Sequence, residues 1–444
     1  MTPPGALATQ LQGSMNFESF LDAPIQSPGT GLPSLSLFSG AGIGDLGFER
    51  AGFKFHVFAD LNRNRLRLCR LNHSDAEYIQ GDLRITWQAV ADAYVKRSDG
   101  EAPSLLSAMI PCQAMSCVNA WSGLPTKGSY SMDPRNQLGF VLSKVANRLH
   151  PRVVVIENVT GIFSTRVRDP DLGKTDTVAQ LLVDRLPDYE CWPAVVQFAD
   201  YGVPQRRTRA LLTFIRSKDP ASKGLDTDGS LPYPEPSHDR LGRNGKRRWV
   251  TARSFLGSQT YGHLDSRDSR HARDSSDPLH FVPVYDADRY DLIRFIPPSS
   301  GRSAFETDLC PRCGAVGHPP RMAKCGVCRA ALTTRPVVVG PRGGARLIIG
   351  SRTTYKRMNP ALPIATITTA NGHIGSDAKI HPWENRLLSP RECADAQSIP
   401  RSFRWAESGS TVTTSLVREC TGEAIPPWFT SQQGRVLHGL LSPR

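Results

Sequence analysis

Cys112, Glu157, Arg207 and Arg209 are the side chains of this sequence best suited to do chemistry, and each stands at one end of an apolar run. Cys112 lies in Ile110-Pro111-Cys112-Gln113, straight after the run 105–110. Glu157 opens Glu157-Asn158-Val159 after the run 153–156, and the arginines lie in Gln205-Arg206-Arg207-Thr208-Arg209, before the run 210–215. A strand-end cysteine by itself is more often an inert core residue, since free Cys is among the most buried types. In the company of the Glu157 and Arg207–Arg209 segments it can instead be a nucleophile presented to a cleft, and the three segments together outline a site.

Those positions demand a particular scaffold. From Ser34 onward, apolar runs at 35–38, 55–59, 105–110, 153–156, 194–198 and 210–215 alternate with helix-like segments. Runs this short, separated this way, predict an α/β fold: a mostly parallel, Rossmann-like sheet with helices on both faces. Open sheets of this kind gather ligands beyond the carboxyl ends of their strands, so Asp60, Cys112 and Glu157 are expected to line one crevice. Residues 1–32, rich in Pro, Gly, Ser and Thr, read as a flexible tail with one short helical turn. Residues 33–216 make the sheet domain, 217–385 a smaller irregular domain, and 386–444 the segments that return to the first.

A second cluster is built for close approach rather than reaction. Leu37-Phe38-Ser39-Gly40-Ala41-Gly42-Ile43-Gly44-Asp45-Leu46-Gly47 follows the first strand and opens a helix, so backbone can meet a ligand where side chains would block it. Gly42, Gly44 and Gly47 match Gly-x-Gly-x-x-Gly, and Asp60 lies 18 residues beyond Gly42, where a carboxylate can accept hydrogen bonds from ribose hydroxyls. The loop predicts a nucleotide-like cofactor without separating a nicotinamide dinucleotide from S-adenosylmethionine. Asp82 in Gly81-Asp82-Leu83 follows the candidate strand at 78–79 and is placed either to bind an adenine amino group or to close a surface turn.

Cys310-Pro311-Arg312-Cys313-Gly314 and Cys325-Gly326-Val327-Cys328 form two Cys-x2-Cys knuckles separated by eleven residues. Four thiolates so spaced suit a structural, tetrahedral Zn²⁺, with two disulfides as the alternative. A ribbon at about 305–332 either offers Arg312, Arg321, Lys324 and Arg329 to a polyanionic partner or staples a segment poor in core residues. The remaining six cysteines are scattered, with no disulfide framework.

Taken together, Phe-Ser-Gly-Ala-Gly-Ile-Gly, Pro-Cys-Gln, Glu-Asn-Val and Gln-x-Arg-x-Arg resemble the C5 cytosine methyltransferases, in that family's order. The resemblance continues through Pro363-Ile364-Ala365-Thr366-Ile367-Thr368-Thr369, Arg386-Leu387-Leu388-Ser389-Pro390-Arg391-Glu392-Cys393-Ala394 and Gly422-Glu423-Ala424-Ile425-Pro426-Pro427. It implies S-adenosylmethionine bound by Phe38, Ser39, Gly40, Ala41, Gly42, Ile43, Gly44, Asp60, Leu61, Asp82, Leu83 and Pro111. It further implies that Cys112 adds to C6 of a flipped-out cytosine, that Glu157, its pKa raised in a closed pocket, donates at N3, and that Arg207 and Arg209 hold the site together. The polar stretch 116–135 would close over DNA as a lid. Three departures bear on the pocket: Ala108-Met109-Ile110 replaces a glycine and a second proline before Pro-Cys-Gln, Glu423 stands where the family has Asn, and Asp60 where it has Glu.

Charge favours a polyanionic partner. The 444 residues carry 54 Lys and Arg against 41 Asp and Glu, for a net +13, and residues 217–385 hold 25 of those cations against 16 acidic groups. The basic run Arg240-Leu241-Gly242-Arg243-Asn244-Gly245-Lys246-Arg247-Arg248-Trp249 opens that stretch. Double-stranded DNA is the expected substrate, with a tRNA cytosine methyltransferase and a catalytically silent DNA-binding relative as competing readings. Family habit points to restriction-modification or phage defence, to a monomer on DNA and to defence-system partner proteins. No run reaches the roughly 18 apolar residues of a membrane span, and no signal peptide is seen, so the expected location is the bacterial cytoplasm, at the nucleoid. The target sequence is not legible, because base contacts reside in a region without a matched motif.

Overall fold

A computed structural model describes residues 16–26, 29–73, 75–111, 115, 131, 133–222, 225, 231–259, 261–320, 322–348, 354–376 and 378–442. Its centre is a seven-stranded sheet of β1 (Leu32–Leu37), β2 (Phe53–Asp60), β3 (Glu77–Gln80), β4 (Leu105–Met109), β5 (Val153–Asn158), β6 (Tyr189–Gln197) and β7 (Thr208–Arg216). The spatial order is β3-β2-β1-β4-β5-β7-β6. The first five strands are mutually parallel, whereas β7 runs antiparallel to both β5 and β6. Chain order reverses between β1 and β4, whose Leu37 and Ala108 are paired, which makes a crevice beyond these two strands.

Strand composition explains how the sheet is covered. All six residues of β5 are buried, and side chains alternate between faces at a period of two. Val154 and Ile156 join the cluster containing α4 (Leu83–Arg97), α5 (Gly139–Leu149) and α6 (Val178–Arg185). Val153 and Val155 join the opposite cluster with Phe48 of α2 (Asp45–Arg50), Leu66 of α3 (Arg63–Asn72) and Leu437 of the C-terminal helix Pro427–Leu441. That last helix lies so close to α2 that a Cβ on Gly47 would stand 2.3 Å from the Pro427 carbonyl oxygen. The third glycine of the loop therefore serves helix packing.

Two stretches differ from expectation. The one short helical turn expected within the tail forms as α1 (Phe17–Asp22), but it is docked rather than free, with Phe20 and Leu21 fully buried. Phe17, Phe20 and Leu21 share one helical face, and Phe20 meets Trp428 edge-on at 5.2 Å, with the Arg50 guanidinium 4.0 Å over its ring. Strand β6 begins five residues before the apolar run at 194, because an edge strand is only half covered and carries exposed positions such as Val195.

Among the described residues between 217 and 385 regular structure is sparse, its longest pieces being α7 (Ala252–Ser258) and α8 (Ala287–Arg294), with short strand pairs such as Val337–Val339 with Ala345–Leu347. Buried arginines replace the missing ladders. Arg357 donates to the carbonyls of Ile293, Ile296, His381 and Glu384, and Arg335 to those of Thr307, His318, Pro319 and Met322. Irregular backbone can be buried only when its carbonyls find donors, and each guanidinium supplies five. The chain then returns to the sheet domain through α9 (Pro390–Ala396), α10 (Thr414–Glu423) and α11, the helix Pro427–Leu441.

Candidate active site

A cleft of about 1630 Å³ opens beyond the carboxyl ends of β1, β2, β4 and β5. One wall is the glycine loop. Phe38, Gly40 and Gly42 have φ of 52°, 55° and 71°, and a Cβ on Gly40 would meet nothing within 4 Å, so backbone borders open space there. Asp60 organises this wall by accepting the N–H groups of Gly40 at 2.9 Å and Asn62 at 2.7 Å. Next to it Leu61 lines the cleft while 69% exposed, an apolar surface on which a flat ring can lie. Ser39, Ala41, Ile43, Gly44, Leu83 and Pro111 also line the cleft. Asp82 does too, yet it caps α4 through the Arg84 N–H, and the Arg84 side chain pulls its carboxyl below the usual range.

Beneath the loop lies a buried nest that motif reading missed. His73 Nε2 is 3.0 Å from the Gly42 carbonyl oxygen, and its Nδ1 is 2.9 Å from Glu49 Oε2. A carbonyl only accepts, so Nε2 carries hydrogen, and a proton must also occupy the Nδ1–carboxyl contact to avoid facing two lone pairs. Asp45, fully buried beside this pair, accepts from Ser36 Oγ at 2.8 Å, and burial pushes its carboxyl up to about 6. The only local hint is the pairing of Asp45 and Glu49 on one face of α2, four residues apart.

The opposite side of the cleft carries the reactive groups. Pro111 ends the described segment after β4. Cys112, the expected nucleophile, lies outside the described residues, as do 116–130 and 132 of the expected lid. Glu157 is 7% exposed, and its Oε1 is 2.9 Å from Arg209 Nε. Asn158 donates from Nδ2 to the Ile110 carbonyl at 3.1 Å, tying the end of β5 to the loop that leads into Cys112. Arg207 is 1% exposed and reaches the carbonyls of Ile367 at 2.9 Å and Glu423 at 3.2 Å, so it fastens two distant segments to the cleft. Tyr285, Arg289, Tyr355 and His373 face the cleft from the 217–385 region.

Residues 32–287 match the model of the family described as C-5 cytosine-specific DNA methylase. The chain belongs to that family. It is similar to the type II methyltransferase M.NgoFVII of Neisseria gonorrhoeae, with 26% identity over 396 residues that span 88% of this chain and 83% of that protein. It is likewise similar to the type II methyltransferase M1.HgaI of Avibacterium volantium, with 24% identity over 403 residues, 88% of this chain and 94% of that protein. A solved protein assigned as a DNA modification methyltransferase encoded within an E. coli prophage shares the fold at a TM-score of 0.55, with 19% identity over 92% of this chain and 99% of that one. Among the described residues no helix is long and apolar enough to cross a membrane.

Within this methylase fold the three sequence departures are accommodated by their neighbours. Met109 packs against Gly44, where a Cβ would stand 2.2 Å from Met109 Cε, and Ile110 packs against Gly139. Glu423 pairs with Arg65 of α3 at 2.8 Å, which binds the closing helix α10 to the wall that contains Asp60. Arg65 also pairs with Glu419. Burial raises the Glu423 carboxyl while Arg65 pulls it the other way.

The methylase also carries a four-Cys cluster, none of whose members lines the cleft. The Sγ atoms of Cys310, Cys313, Cys325 and Cys328 all lie within 4.8 Å of one another, with 3.7 Å between Cys310 and Cys328 and between Cys313 and Cys325. A tetrahedron of Zn–S bonds near 2.3 Å has edges of about 3.8 Å, and disulfide sulfurs would be bonded at about 2.05 Å. The cluster thus has the shape of a four-thiolate metal site rather than of two disulfides. The Cys328 and Val327 N–H groups point at Cys325 Sγ, with His318 Nε2 3.2 Å from it, and these contacts favour its thiolate. Arg312, Lys324 and Arg329 are exposed around it, and Arg321 lies outside the described residues.

Proposed function

We propose that the protein methylates C5 of a cytosine flipped out of a specific duplex DNA sequence, serving as the modification enzyme of a type II restriction-modification system. The observation that carries this reading is the meeting of the glycine loop and the Glu157–Arg209 pair in one cleft, with Pro111, the residue before Cys112, on its wall. The type II methyltransferases among its relatives support the biological role.

S-adenosylmethionine fits the donor set of the loop and, when bound, supplies an electrophilic methyl group. The bare backbone at Gly40, the Asp60 carboxylate and the open face of Leu61 suit its amino-acid, ribose and adenine parts. Cytosine C5 is too weak a nucleophile to attack unaided. Cys112 thiolate adds to C6, forming an S–C6 bond and moving electron density toward C5, while N3 takes a proton donated by Glu157. Arg209 holds Glu157 in place for that transfer. After C5 is methylated, the C5 proton leaves to a base, the S–C6 pair returns to sulfur, and the ring regains aromaticity. The four thiolates at 310–328 hold a structural Zn²⁺ that supports an insert with little core of its own.

Bisulfite sequencing of DNA from cells expressing the parent and a Cys112→Ser variant tests the reading. Methylation of cytosine within one recurring sequence, present with the parent and absent with the variant, is expected. Methylation confined to tRNA, or none from either protein, would sink it.

A further inference from the structure

The basic run at 239–248 lies outside every cofactor and catalytic contact, yet it is a built feature. Asp239 accepts the N–H groups of Leu241, Gly242 and Arg243, and Gly242, Asn244 and Gly245 have φ of 72°, 55° and 73°, so the chain curls tightly around one carboxylate. His238 and Asp239 pair with Arg247 and Arg248 across the base of the turn. The curl turns five cations outward: Arg240, Arg243, Arg247 and Arg248 are exposed and Lys246 half-exposed. None of the five makes an ion pair among the described residues, whereas exposed Arg67, Arg84, Arg135, Arg148 and Arg270 each pair with a carboxylate.

The turn is anchored at the reactive edge of the sheet. Thr208 of β7 pairs with Gln197 of β6 and Ala210 with Asn158 of β5, so the β6–β7 junction lies at the same end as Glu157. The single turn Phe198–Tyr201 leaves from that junction, and both stems of the basic run are fastened to it. Trp249 Nε1 donates to Asp200 Oδ1 at 2.8 Å, and His238 is packed so closely on Gly202 that a Cβ there would stand 2.8 Å from its ring. Two strand spacings, about 10 Å, separate β5 from β6. Arg206, three residues before Arg209 in the chain, is exposed as well.

We propose that this turn grips the sugar-phosphate backbone of duplex DNA beside the flipped base, by charge and without reading sequence. Arginine forks match phosphate oxygens bidentately, and a turn already shaped by Asp239 loses little freedom on binding. Unpaired cations kept together at the edge of a substrate cleft have a polyanion as their natural occupant. The inference rests on the DNA-methylating role proposed above and adds the surface that holds the substrate.

Duplex DNA binding of the whole protein, measured by fluorescence anisotropy between about 50 and 200 mM salt, tests it. The parent is compared with R243A/R247A/R248A and with a charge-matched control, K96A/K144A/R148A, whose side chains are exposed on α4 and α5. Each lost phosphate contact lowers the slope of log Kobs against log salt by about 0.9, so the turn variant should lose about 2 to 3 from the slope and bind target and unrelated duplexes about 10- to 100-fold more weakly. The control should keep the parent slope, and all three proteins should bind S-adenosylmethionine equally. An unchanged slope in the turn variant, or an equal loss in the control, overturns the inference. A parent that binds and methylates no DNA defeats the functional reading instead.

Discussion

Arg209 meets Glu157 because β7 runs against β5. Leu211 is paired with Glu157 and Ala210 with Asn158, so the start of β7, not its end, arrives at the carboxyl end of β5, and Nε comes to 2.9 Å from Oε1. With a parallel β7 the arginine would sit at the far edge of the sheet. Removing the guanidinium should therefore cost turnover rather than cofactor binding. Arg209→Ala and Glu157→Gln are each expected to lower kcat by about 10²- to 10⁴-fold in a labelled-methyl assay on duplex DNA. The affinity for S-adenosylmethionine by calorimetry should hold. A Glu157→Gln protein with parent kcat would exclude the carboxyl from the proton transfer.

Arg207 does a different job from its neighbour. Its guanidinium is buried and spans the Ile367 and Glu423 carbonyls, so truncation strands two buried acceptors. Arg207→Met should destabilise the fold by about 2–4 kcal/mol in urea unfolding and weaken cofactor binding, since Glu423 and Ala424 line the cleft. Unchanged stability would show that the carbonyls find other donors.

The nest under the glycine loop makes stability depend on pH in a defined direction. Asp45 is raised by burial to about 6; burial opposes the charge of His73, but Glu49 and then Asp45 outweigh it and raise that group as well. Cys69 and Tyr78 also face this pocket, and burial pushes both upward. Asp45 binds a proton more tightly folded than unfolded, so the folded state loses stability as pH rises from about 4 to about 6, and His73 adds to that loss at higher pH. The shift of Asp45 from 3.8 to about 6 corresponds to up to about 3 kcal/mol. The stability difference between the parent and Asp45→Asn, from urea unfolding at pH 4 and pH 7, should shift by that order in favour of the variant at pH 7. A difference independent of pH would mean that Asp45 ionises as freely folded as unfolded.

Metal removal should act locally. Cys313→Ser is expected to lose about one equivalent of zinc by elemental analysis and to lose hydrogen-exchange protection around 310–332, while S-adenosylmethionine affinity is kept. Parent protein that is isolated without metal, with all four thiols freely titratable, would contradict the zinc assignment.

Local patterning made much of this protein legible. An apolar run ending in a polar residue marks a strand tip in any α/β sheet, so Asp60, Glu157 and the glycine loop could be placed at one crevice from the chain alone, and the knuckle spacing marked the four-Cys cluster. These features depend on residues within a few positions of one another. The tertiary structure decided whatever depends on pairing across long separations. It set β7 antiparallel to β5 and so brought Arg209 to Glu157, put His73 beneath Gly42, and turned the third loop glycine to the packing of α11. It also folded 217–385 around buried guanidinium groups, which carry no periodic signal because they answer to carbonyls far away in sequence. The chemistry is written in short motifs, whereas the distances at which it can operate arise from the order and direction of the strands.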